Sequence, residues 1–217
     1  MKAKIDDHDQ LEEIWHQVPA DYYQHGVETN MLQRKWHMGK LQVTLGLLKQ
    51  HAPKKILDVG SASGWFLSEL KKRYPNAGCV GVDVYIPAID YAKKTYPNIS
   101  FRMADAHKLP FKDNSFDVVV CTEVLEHVVH PEEVISEIER ILRPGGIAIV
   151  EMDSGNMLFK LVWYWWTNLR HGVWKDSHIH VFNATILERL LKCGTLRVLE
   201  KKMFNYSMAV AFVLTKD

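Results

Sequence analysis

Residues 56–64 read ILDVGSASG, a short apolar run that leads at once into a turn with glycine at both ends. The run Ile56–Val59 predicts a strand, and the apolar residues Phe66, Leu67 and Leu70 then recur at the spacing of a helix. Because glycine has no Cβ, a ligand can approach the backbone of such a turn closely. This stretch therefore predicts a strand, a ligand-binding loop and a helix, in that order.

The same alternation of short apolar runs and helical patterns continues from residue 54 to residue 153. Residues 117–121 read DVVVC, apolar almost throughout, as expected of a strand covered on both faces. Strands that alternate with helices predict a parallel sheet wrapped by helices. Further helices are expected near Pro87 and His130, the second ended by Pro144-Gly145-Gly146. The predicted strands are Ile56–Val59, Cys79–Val82, Phe101–Ala104, Phe116–Cys121 and Ile147–Val150.

The flanks of this core have other patterns. Residues from about Asp9 to Gln50 predict helices, the second of which starts near Asn30. At the other end, Leu196–Met203 and Met208–Leu214 predict two strands joined as an antiparallel hairpin. We expect a single domain with four parts. They are an N-terminal helical cap (1–52), the binding core (53–153), a substrate-lid insertion (154–182) and a C-terminal helix with the hairpin (183–217).

Composition and charge narrow the class of protein. The chain has 217 residues, enough for one α/β domain, and its net charge of +1 gives no overall attraction to nucleic acid or acidic membranes. Three cysteines, an odd number with apolar neighbours, indicate buried reduced thiols rather than a disulfide framework. No apolar leader and no run of about 20 apolar residues is present in the sequence. We therefore expect a cytoplasmic protein that does not bind nucleic acid.

A carboxylate follows the second predicted strand. Asp83 lies about 20 residues beyond the glycine-rich turn, where nucleotide-binding α/β folds place a carboxylate that bonds the ribose hydroxyls. A nicotinamide cofactor normally requires G-x-G-x-x-G, but Ala62 stands two positions after Gly60. Asp58 is also a poor neighbour for a pyrophosphate and suits a cofactor with an amino group and a sulfonium centre. The pattern predicts such an adenosyl cofactor and disfavours an NAD-dependent oxidoreductase.

Four segments, in order, resemble the class I S-adenosylmethionine-dependent methyltransferases, in the type 11-like group that methylates small molecules and lipids. The resemblance implies an α/β, Rossmann-like fold: a seven-stranded, mostly parallel sheet with an antiparallel C-terminal hairpin and helices on both faces. It also implies S-adenosyl-L-methionine as cofactor, S-adenosyl-L-homocysteine as product and in-line displacement at the methyl carbon. The segments are ILDVGSASG at 56–64, VGVDV at 80–84, ADAHKLPF at 104–111 and FDVVVCTEVLEHVVHPEEVISEIERILRPGG at 116–146.

The resemblance also implies which residues bind the cofactor. The first loop lies against the methionine part, the acidic residue after the second strand holds the ribose, and the Asp-Ala pair after the third strand flanks the adenine. The family commonly has glycine at the position of Ala62, so we expect weakened rather than abolished binding. The implied residues are Asp58, Gly60, Ser61, Gly64, Asp83, Val84, Asp105, Ala106, Cys121 and Glu123.

Two further alternatives concern function rather than fold. A module that binds the cofactor without catalysis would keep the same fold, although the presence of Asp83 and Asp105 argues against such a degenerate relative. RNA methylation is disfavoured by the near-neutral charge. It is also disfavoured because Cys-Thr-Glu-Val follows the fourth strand in place of an Asn/Asp-Pro-Pro-aromatic motif.

Proton removal from an acceptor would need a base. The candidates are His127, His178 and His180. His127, in Leu-Glu-His-Val, either faces the site or caps its own helix. An extended segment 178–180 would place both imidazoles on one face. Since the sequence identifies no third metal ligand, we expect a polar pocket wall and no metal.

Residues 157–174 form the most unusual segment, because four of the seven tryptophans occur there beside basic residues. This composition predicts an apolar lid or an element at a membrane interface, with an amphipathic helix packed on the sheet as the plain alternative. The predicted acceptor is accordingly a small molecule, apolar or lipid-linked. Arg34 is expected to pair with the cofactor carboxylate through its fork geometry, or else to lie, like the N-terminal pocket residues, on a solvated helix face. The predicted pocket residues are Tyr22, Tyr23, Trp36, Trp163 and Trp166.

Overall fold

The computed structural model describes residues 18–169, 178–180, 182–192 and 194–217. Seven strands form one sheet in the order β3-β2-β1-β4-β5-β7-β6. The strands are β1 (Lys55–Val59), β2 (Gly78–Asp83), β3 (Ser100–Met103), β4 (Phe116–Thr122), β5 (Leu142–Asp153), β6 (Arg197–Phe204) and β7 (Ala209–Thr215). The helices are α1 (Tyr22–Thr29), α2 (Met31–Leu47), α3 (Trp65–Arg73), α4 (Ile86–Thr95), α5 (Pro131–Ile141), α6 (Met157–Leu169) and α7 (Ala184–Leu191).

The pairing of the strands confirms the predicted fold class. Strands β1 to β5 run parallel to one another, and β7 is inserted antiparallel between β5 and β6. The strand order reverses at β1, which pairs with β2 on one side and with β4 on the other. In sheets of this kind ligands bind in the crevice at the carboxyl ends of the strands beside such a reversal. The topology therefore places a binding crevice above β1 and β4.

The central strands are covered on both faces, because successive side chains point to opposite sides of a sheet. Val119 and Cys121 belong to one buried cluster, whereas Val118 and Val120 belong to another. All four side chains are at most 1% exposed. The two layers of helices thus hold β4 rigidly beneath the crevice.

Strand β5 begins earlier than the sequence predicted. Leu142 already has an extended backbone, and its N–H still bonds to the carbonyl of Ile138, so α5 passes into β5 without a loop. Residues 144–146 consequently lie inside β5 rather than ending the helix. A register shift in the β4–β5 pairing and the positive φ of Gly145 (+70°) accommodate the proline and glycines within the strand.

The N-terminal helices lie beside the sheet. Asn30 separates α1 from α2 and accepts hydrogen bonds from the backbone of Leu32 and Gln33, which confirms a helix start there. The part of the N-terminal prediction before residue 18 lies outside the described residues, as does Cys193. Cys79 and Cys121 are buried free thiols, as expected. None of the helices in the described ranges combines the length and the apolar character needed to cross a bilayer.

Candidate cofactor site

A cleft opens at the carboxyl ends of β1 to β4. Its cavity volume is about 160 Å³. One wall is the loop between β1 and α3, and the opposite wall includes side chains of α1 and α2. Nine of the residues predicted from the sequence, seven for the cofactor site and two for the chemistry or the acceptor, lie on its walls. They are Gly60, Ser61, Asp83, Val84, Asp105, Ala106, Glu123, Tyr23 and His127.

The loop between β1 and α3 requires its two glycines. Gly60 and Gly64 have φ angles of +76° and +80°, in the left-handed region. A Cβ at Gly60 would lie 2.3 Å from Val124 Cγ2, and one at Gly64 would lie 2.6 Å from Phe101 Cζ. Gly64 does not line the cleft but precedes the first residue of α3 as its N-cap. It therefore shapes the loop rather than contacting the open space.

Asp83 braces the same loop. Its Oδ2 accepts a hydrogen bond from the backbone N–H of Ala62 (2.8 Å), and its Oδ1 accepts one from Tyr85 (2.9 Å). Burial raises the pKa of Asp83, and these backbone bonds oppose that rise. Ala62 has a φ of +43°, an uncommon conformation for a residue with a Cβ. The loop thus holds Ala62 in a strained backbone conformation. The N–H of Ala62 bonds to Asp83, the carboxylate that the resemblance predicts for ribose binding.

Asp58 lies directly behind the wall of the cleft. Its side chain is 1% exposed, and within the described ranges neither carboxylate oxygen has a hydrogen-bond partner. Burial raises the pKa of Asp58 well above its ordinary value, the nearby Asp83 raises it further, and Lys40 lowers it. The buried hydroxyls of Ser61 and Ser63 are likewise without partners there. Such orphaned polar atoms fit a ligand that carries an amino group and hydroxyls.

The predicted adenine residues lie at the far side of the cleft. Asp105 accepts hydrogen bonds from the backbone N–H of His107 (2.9 Å) and pairs with the Nδ1 of that imidazole (2.6 Å). His107 Nε2 in turn accepts from the backbone N–H of His130 (3.2 Å). The Asp105 side chain is thereby fixed at the edge of the open space.

Cys121 is not on the cleft wall. It is 1% exposed and packs in the core with Leu57 and Val150, and burial raises the pKa of its thiol. Thr122, one residue further along β4, lines the cleft instead. Because side chains alternate along a strand, Cys121 faces the core while Thr122 faces the cleft; of the two residues that the resemblance implied here, Glu123 lines the cleft and Cys121 does not.

Glu123 is held by α2. Its carboxylate pairs with Lys40 (Nζ–Oε2 2.8 Å) and accepts a hydrogen bond from Trp36 Nε1 (3.0 Å). Burial alone would raise the pKa of Glu123, but Lys40 and His37 outweigh it and lower that pKa to about 2. Burial also lowers the pKa of His37, to about 3. Glu123 is therefore a carboxylate beside a buried lysine.

Sequence reasoning missed Lys40, although a signal was present. His37, Lys40 and Thr44 recur at helical spacing and are all buried, on a face of α2 shared with the apolar Leu41. Thr44 donates a hydrogen bond to Glu151 Oε1 (2.6 Å). Polar residues on the buried face of a helix indicate partners in the protein interior.

Acidic side chains outnumber basic ones around Lys40 at the wall of the cleft. Lys40 is the only buried lysine or arginine in the part of the chain that the structure describes. It lies among the carboxyl groups of Asp58, Glu123 and Glu151. Burial raises the pKa of Glu151 to about 7. This electrostatic environment favours a cationic ligand.

An aromatic row leads from the cleft to α6. The rings of His127 and His178 meet edge to face with centroids 4.9 Å apart, and His178 stacks on Trp163 at 4.8 Å. Trp163 stacks on Phe159 (5.7 Å), which lies 6.2 Å from Trp36. The structure thus brings together His127, His178 and Trp163 from the sequence predictions.

The remaining predicted pocket residues lie outside this arrangement. His180 donates its backbone N–H to the Glu126 carbonyl (3.2 Å), and its Nε2 lies 3.3 Å from the Val129 carbonyl, which indicates a structural role. Trp166 packs against Trp165 at 6.3 Å and does not line the cleft. Tyr22 supports Tyr23 edge to face (5.5 Å) from behind the wall.

Arg34 does not point to a cofactor carboxylate. Its Nε donates to the carbonyl of Val27 (2.7 Å) and its Nη2 to that of Glu28 (2.8 Å). Arg34 therefore satisfies carbonyls at the end of α1, as a cation near a helix C-terminus commonly does. This corrects the expectation that it binds the cofactor.

Comparison with known proteins agrees with this geometry. Residues 57–150 match the family described as a methyltransferase domain. The chain is 29% identical over 154 residues to a malonyl-[acyl-carrier protein] O-methyltransferase of Hahella chejuensis, covering 69% of this chain and 53% of that protein. It is 35% identical over 100 residues to a demethylmenaquinone methyltransferase of Deinococcus radiodurans, covering 44% of this chain and 42% of that protein. The chain spans about half the length of the curated relatives it matches.

A solved structure shares the fold over nearly the whole chain. The N-methyltransferase NodS from Bradyrhizobium japonicum, in complex with S-adenosyl-L-homocysteine, superposes with a TM-score of 0.67 at 20% identity. The superposition covers 96% of this chain and 97% of that one. Residues 57–150 thus match a methyltransferase domain in sequence, and the chain shares the fold of a methyltransferase of known structure. The match favours S-adenosyl-L-methionine over NAD as the ligand of the cleft.

Proposed function

We propose that the chain transfers the methyl group of S-adenosyl-L-methionine to a small-molecule acceptor that is apolar or lipid-linked. The observation that supports methyl transfer most directly is the acid-rich cleft behind a glycine-bounded loop. Asp83 and Glu123 line it, Asp58 lies behind its wall, and Lys40 is the one buried lysine or arginine within the described residues. A cofactor with a sulfonium and an ammonium group would offset this charge.

The chain's own residues have separable tasks in this proposal. The bound sulfonium supplies a methyl group that is already activated for displacement. The loop of residues 60–64 and Asp83 would hold the methionine and ribose parts, and Asp105 would hold the adenine. His127 lines the cleft and would take a proton from the acceptor. The neighbouring aromatic row would align the acceptor and exclude water.

The exposed face of α6 supports an apolar acceptor or a lipid surface. Met157, Leu161 and Tyr164 are 79%, 67% and 66% exposed. Residues 154–169 contain no acidic side chain, and Lys160 is the one basic residue among them. Large apolar side chains at this density are unusual on a protein surface unless they contact a partner or a membrane. The opposite side of α6 carries Trp163 toward His178.

The names of two relatives agree with this acceptor class. One acts on a malonyl group on an acyl carrier protein, and the other on demethylmenaquinone. We infer by similarity that this chain accepts a comparable carrier-bound or quinone-like molecule.

Cofactor binding and turnover test the enzymatic part. S-adenosyl-L-homocysteine at about 100 times its dissociation constant should add about 2.7 kcal/mol of stability, which raises the Tm by roughly 5–11 °C. Labelled S-adenosyl-L-methionine should then methylate at least one member of a panel of quinone, phenol, amine and acyl-carrier substrates. A Tm that does not move would refute methyl transfer. Binding without turnover on every acceptor would instead favour the non-catalytic module.

A matched pair of substitutions tests the role of α6. Leu161→Glu changes a residue that is 67% exposed on α6, and Leu199→Glu changes one that is 46% exposed on β6. We expect Leu161→Glu to reduce flotation with phosphatidylglycerol-containing vesicles and turnover of lipid-linked acceptors, while Leu199→Glu leaves both unchanged. Equal behaviour of the two variants would contradict a lipid-facing role for α6.

A further inference from the structure

Three potential metal ligands meet beside the cleft, although they come from distant parts of the sequence. Glu126 and His127 follow β4, and His178 follows α6. One ligand atom from each residue lies within 4.8 Å of the other two. The backbone N–H groups of Ile179 and His180 donate to the Glu126 carbonyl (3.0 and 3.2 Å). Backbone hydrogen bonds therefore hold the two segments together.

One carboxylate oxygen of Glu126 in this cluster has no hydrogen-bond donor among the residues described. The Glu126 side chain is 2% exposed, and its Oε2 is buried with no hydrogen-bond partner among the residues described. A buried carboxylate oxygen without a donor or a cation is costly, so native structures rarely keep one. The imidazoles of His127 and His178 lie near this carboxylate and could bind an ion together with it. A metal ion between the three residues would satisfy this oxygen directly.

The donor set indicates the kind of ion. Two imidazole nitrogens and one carboxylate oxygen suit Zn²⁺ and similar first-row transition metals, whereas Mg²⁺ and Ca²⁺ prefer oxygen ligands alone. Three protein ligands leave coordination positions open for water or substrate. His127 lines the cleft, so those positions would be accessible from it.

Neighbouring side chains fix the ring of His178. Trp163 stacks on the His178 ring with an interplanar angle of 21°. The Nδ1 of His178 lies 4.0 Å from Asp153 Oδ2. At 4.0 Å no direct hydrogen bond joins the two side chains, so Asp153 acts on the imidazole of His178 through its charge. Asp153 is thus a positioning residue rather than a ligand.

We propose that Glu126, His127 and His178 bind one divalent transition-metal ion at the wall of the cleft. This site lies outside the set of residues assigned to the cofactor. It shares His127 with the proposed function, and in the metal-bound protein a metal-bound water would take the acceptor's proton in place of His127. It departs from the sequence-based expectation of no metal.

Calorimetric titration of the chelator-treated full chain with Zn²⁺, followed by Co²⁺ absorption spectroscopy, tests the site. We expect one equivalent to bind, and Co²⁺ to give ligand-field bands that Zn²⁺ abolishes. Asp153→Asn should weaken Zn²⁺ binding roughly 10- to 100-fold. Glu126→Gln, His127→Ala and His178→Ala should weaken it more. The surface variant His51→Ala is the matched control and should bind as the wild type does.

Titration with S-adenosyl-L-homocysteine separates this proposal from the proposed function. Each variant should retain cofactor binding, which also shows that it is folded. Wild-type protein that binds no Zn²⁺, or binding that persists in the triple variant, would overturn the metal site. Should a variant fail to fold, the Co²⁺ spectrum of the wild type decides alone, because absence of ligand-field bands refutes the site. If the wild type does not bind S-adenosyl-L-homocysteine, methyl transfer is refuted, whereas the result for metal binding still stands.

Discussion

The pair formed by Lys40 and Glu123 provides the sharpest test of the electrostatics of the cleft. Replacement of Lys40 by methionine keeps the length and apolar stem of the side chain but removes its charge. The lysine side chain is 6% exposed and that of Glu123 is 22% exposed, with 2.8 Å between Nζ and Oε2. The substitution leaves Glu123 as a largely buried carboxylate whose remaining described partner is Trp36.

The expected loss is large because removal of one partner from a buried ion pair strands the other charge. Such losses are about 3–5 kcal/mol. For a chain of this size that corresponds to a fall in Tm of roughly 6–20 °C. Urea unfolding followed by tryptophan fluorescence and circular dichroism measures the free energy of unfolding.

The double variant Lys40→Met/Glu123→Gln separates stranded charge from lost packing. It removes both charges, and the glutamine oxygen can still accept the Trp36 hydrogen bond. Since replacement of a whole buried ion pair is often close to neutral, most of the lost stability should return. The reasoning is refuted if Lys40→Met costs less than about 1 kcal/mol, or if the double variant is no more stable than Lys40→Met.

Three further predictions concern the same cleft. Asp83→Asn removes charge-assisted hydrogen bonds worth about 1.5–3 kcal/mol each, so calorimetry should show roughly 10- to 150-fold weaker S-adenosyl-L-homocysteine binding. Ala62→Gly relieves the left-handed strain at that residue (φ +43°), so chemical denaturation should show a gain of about 1 kcal/mol with cofactor affinity retained or improved. Glu151, buried beside Thr44, has a pKa raised from 4.5 to about 7, so the folded state holds the proton more tightly than the unfolded state. Wild-type stability should therefore fall, relative to Glu151→Gln, by up to roughly 3 kcal/mol as the pH rises from 4.5 to 7, as measured by denaturation at a series of pH values.

Exposed residues supply the controls for these measurements. Asp90→Asn on α4 should leave cofactor affinity unchanged, and Glu200→Gln on β6 should follow the wild-type pH profile. Asp83→Asn with wild-type affinity would show that this carboxylate only braces the loop. A parallel pH dependence of wild type and Glu151→Gln would assign that titration to another group.

Much of the fold could be predicted because the determining interactions are local. The apolar run of β1, the turn at Gly60 and the helix after Gly64 depend on residues close together in the chain. The position of Asp83 after β2 follows from the same alternation. The one misplaced boundary, at Leu142, arose because proline and glycine usually end helices. Here Leu142 and Ile147 on either side of those residues pair with β4, so the strand runs through them.

The partners of charged and aromatic side chains could not be predicted in this way. Lys40 reaches Glu123 only because α2 packs over the end of β4. Arg34 was expected at the cofactor, but its guanidinium donates hydrogen bonds to backbone carbonyls at the end of α1. Hydrophobic periodicity says which face of a helix is buried and not which residue that face will meet.

The sequence by itself determined the order of strands and helices, the glycine-bounded loop and the carboxylates near the ends of β1 and β2. The tertiary structure alone decided that a lysine from α2 neutralises Glu123 and that His178 lies beside Glu126 and His127. The physical reason is that backbone geometry and apolar periodicity act between neighbours along the chain. Electrostatic and metal-ligand contacts instead join residues that only the packed sheet and helices bring within a few ångströms.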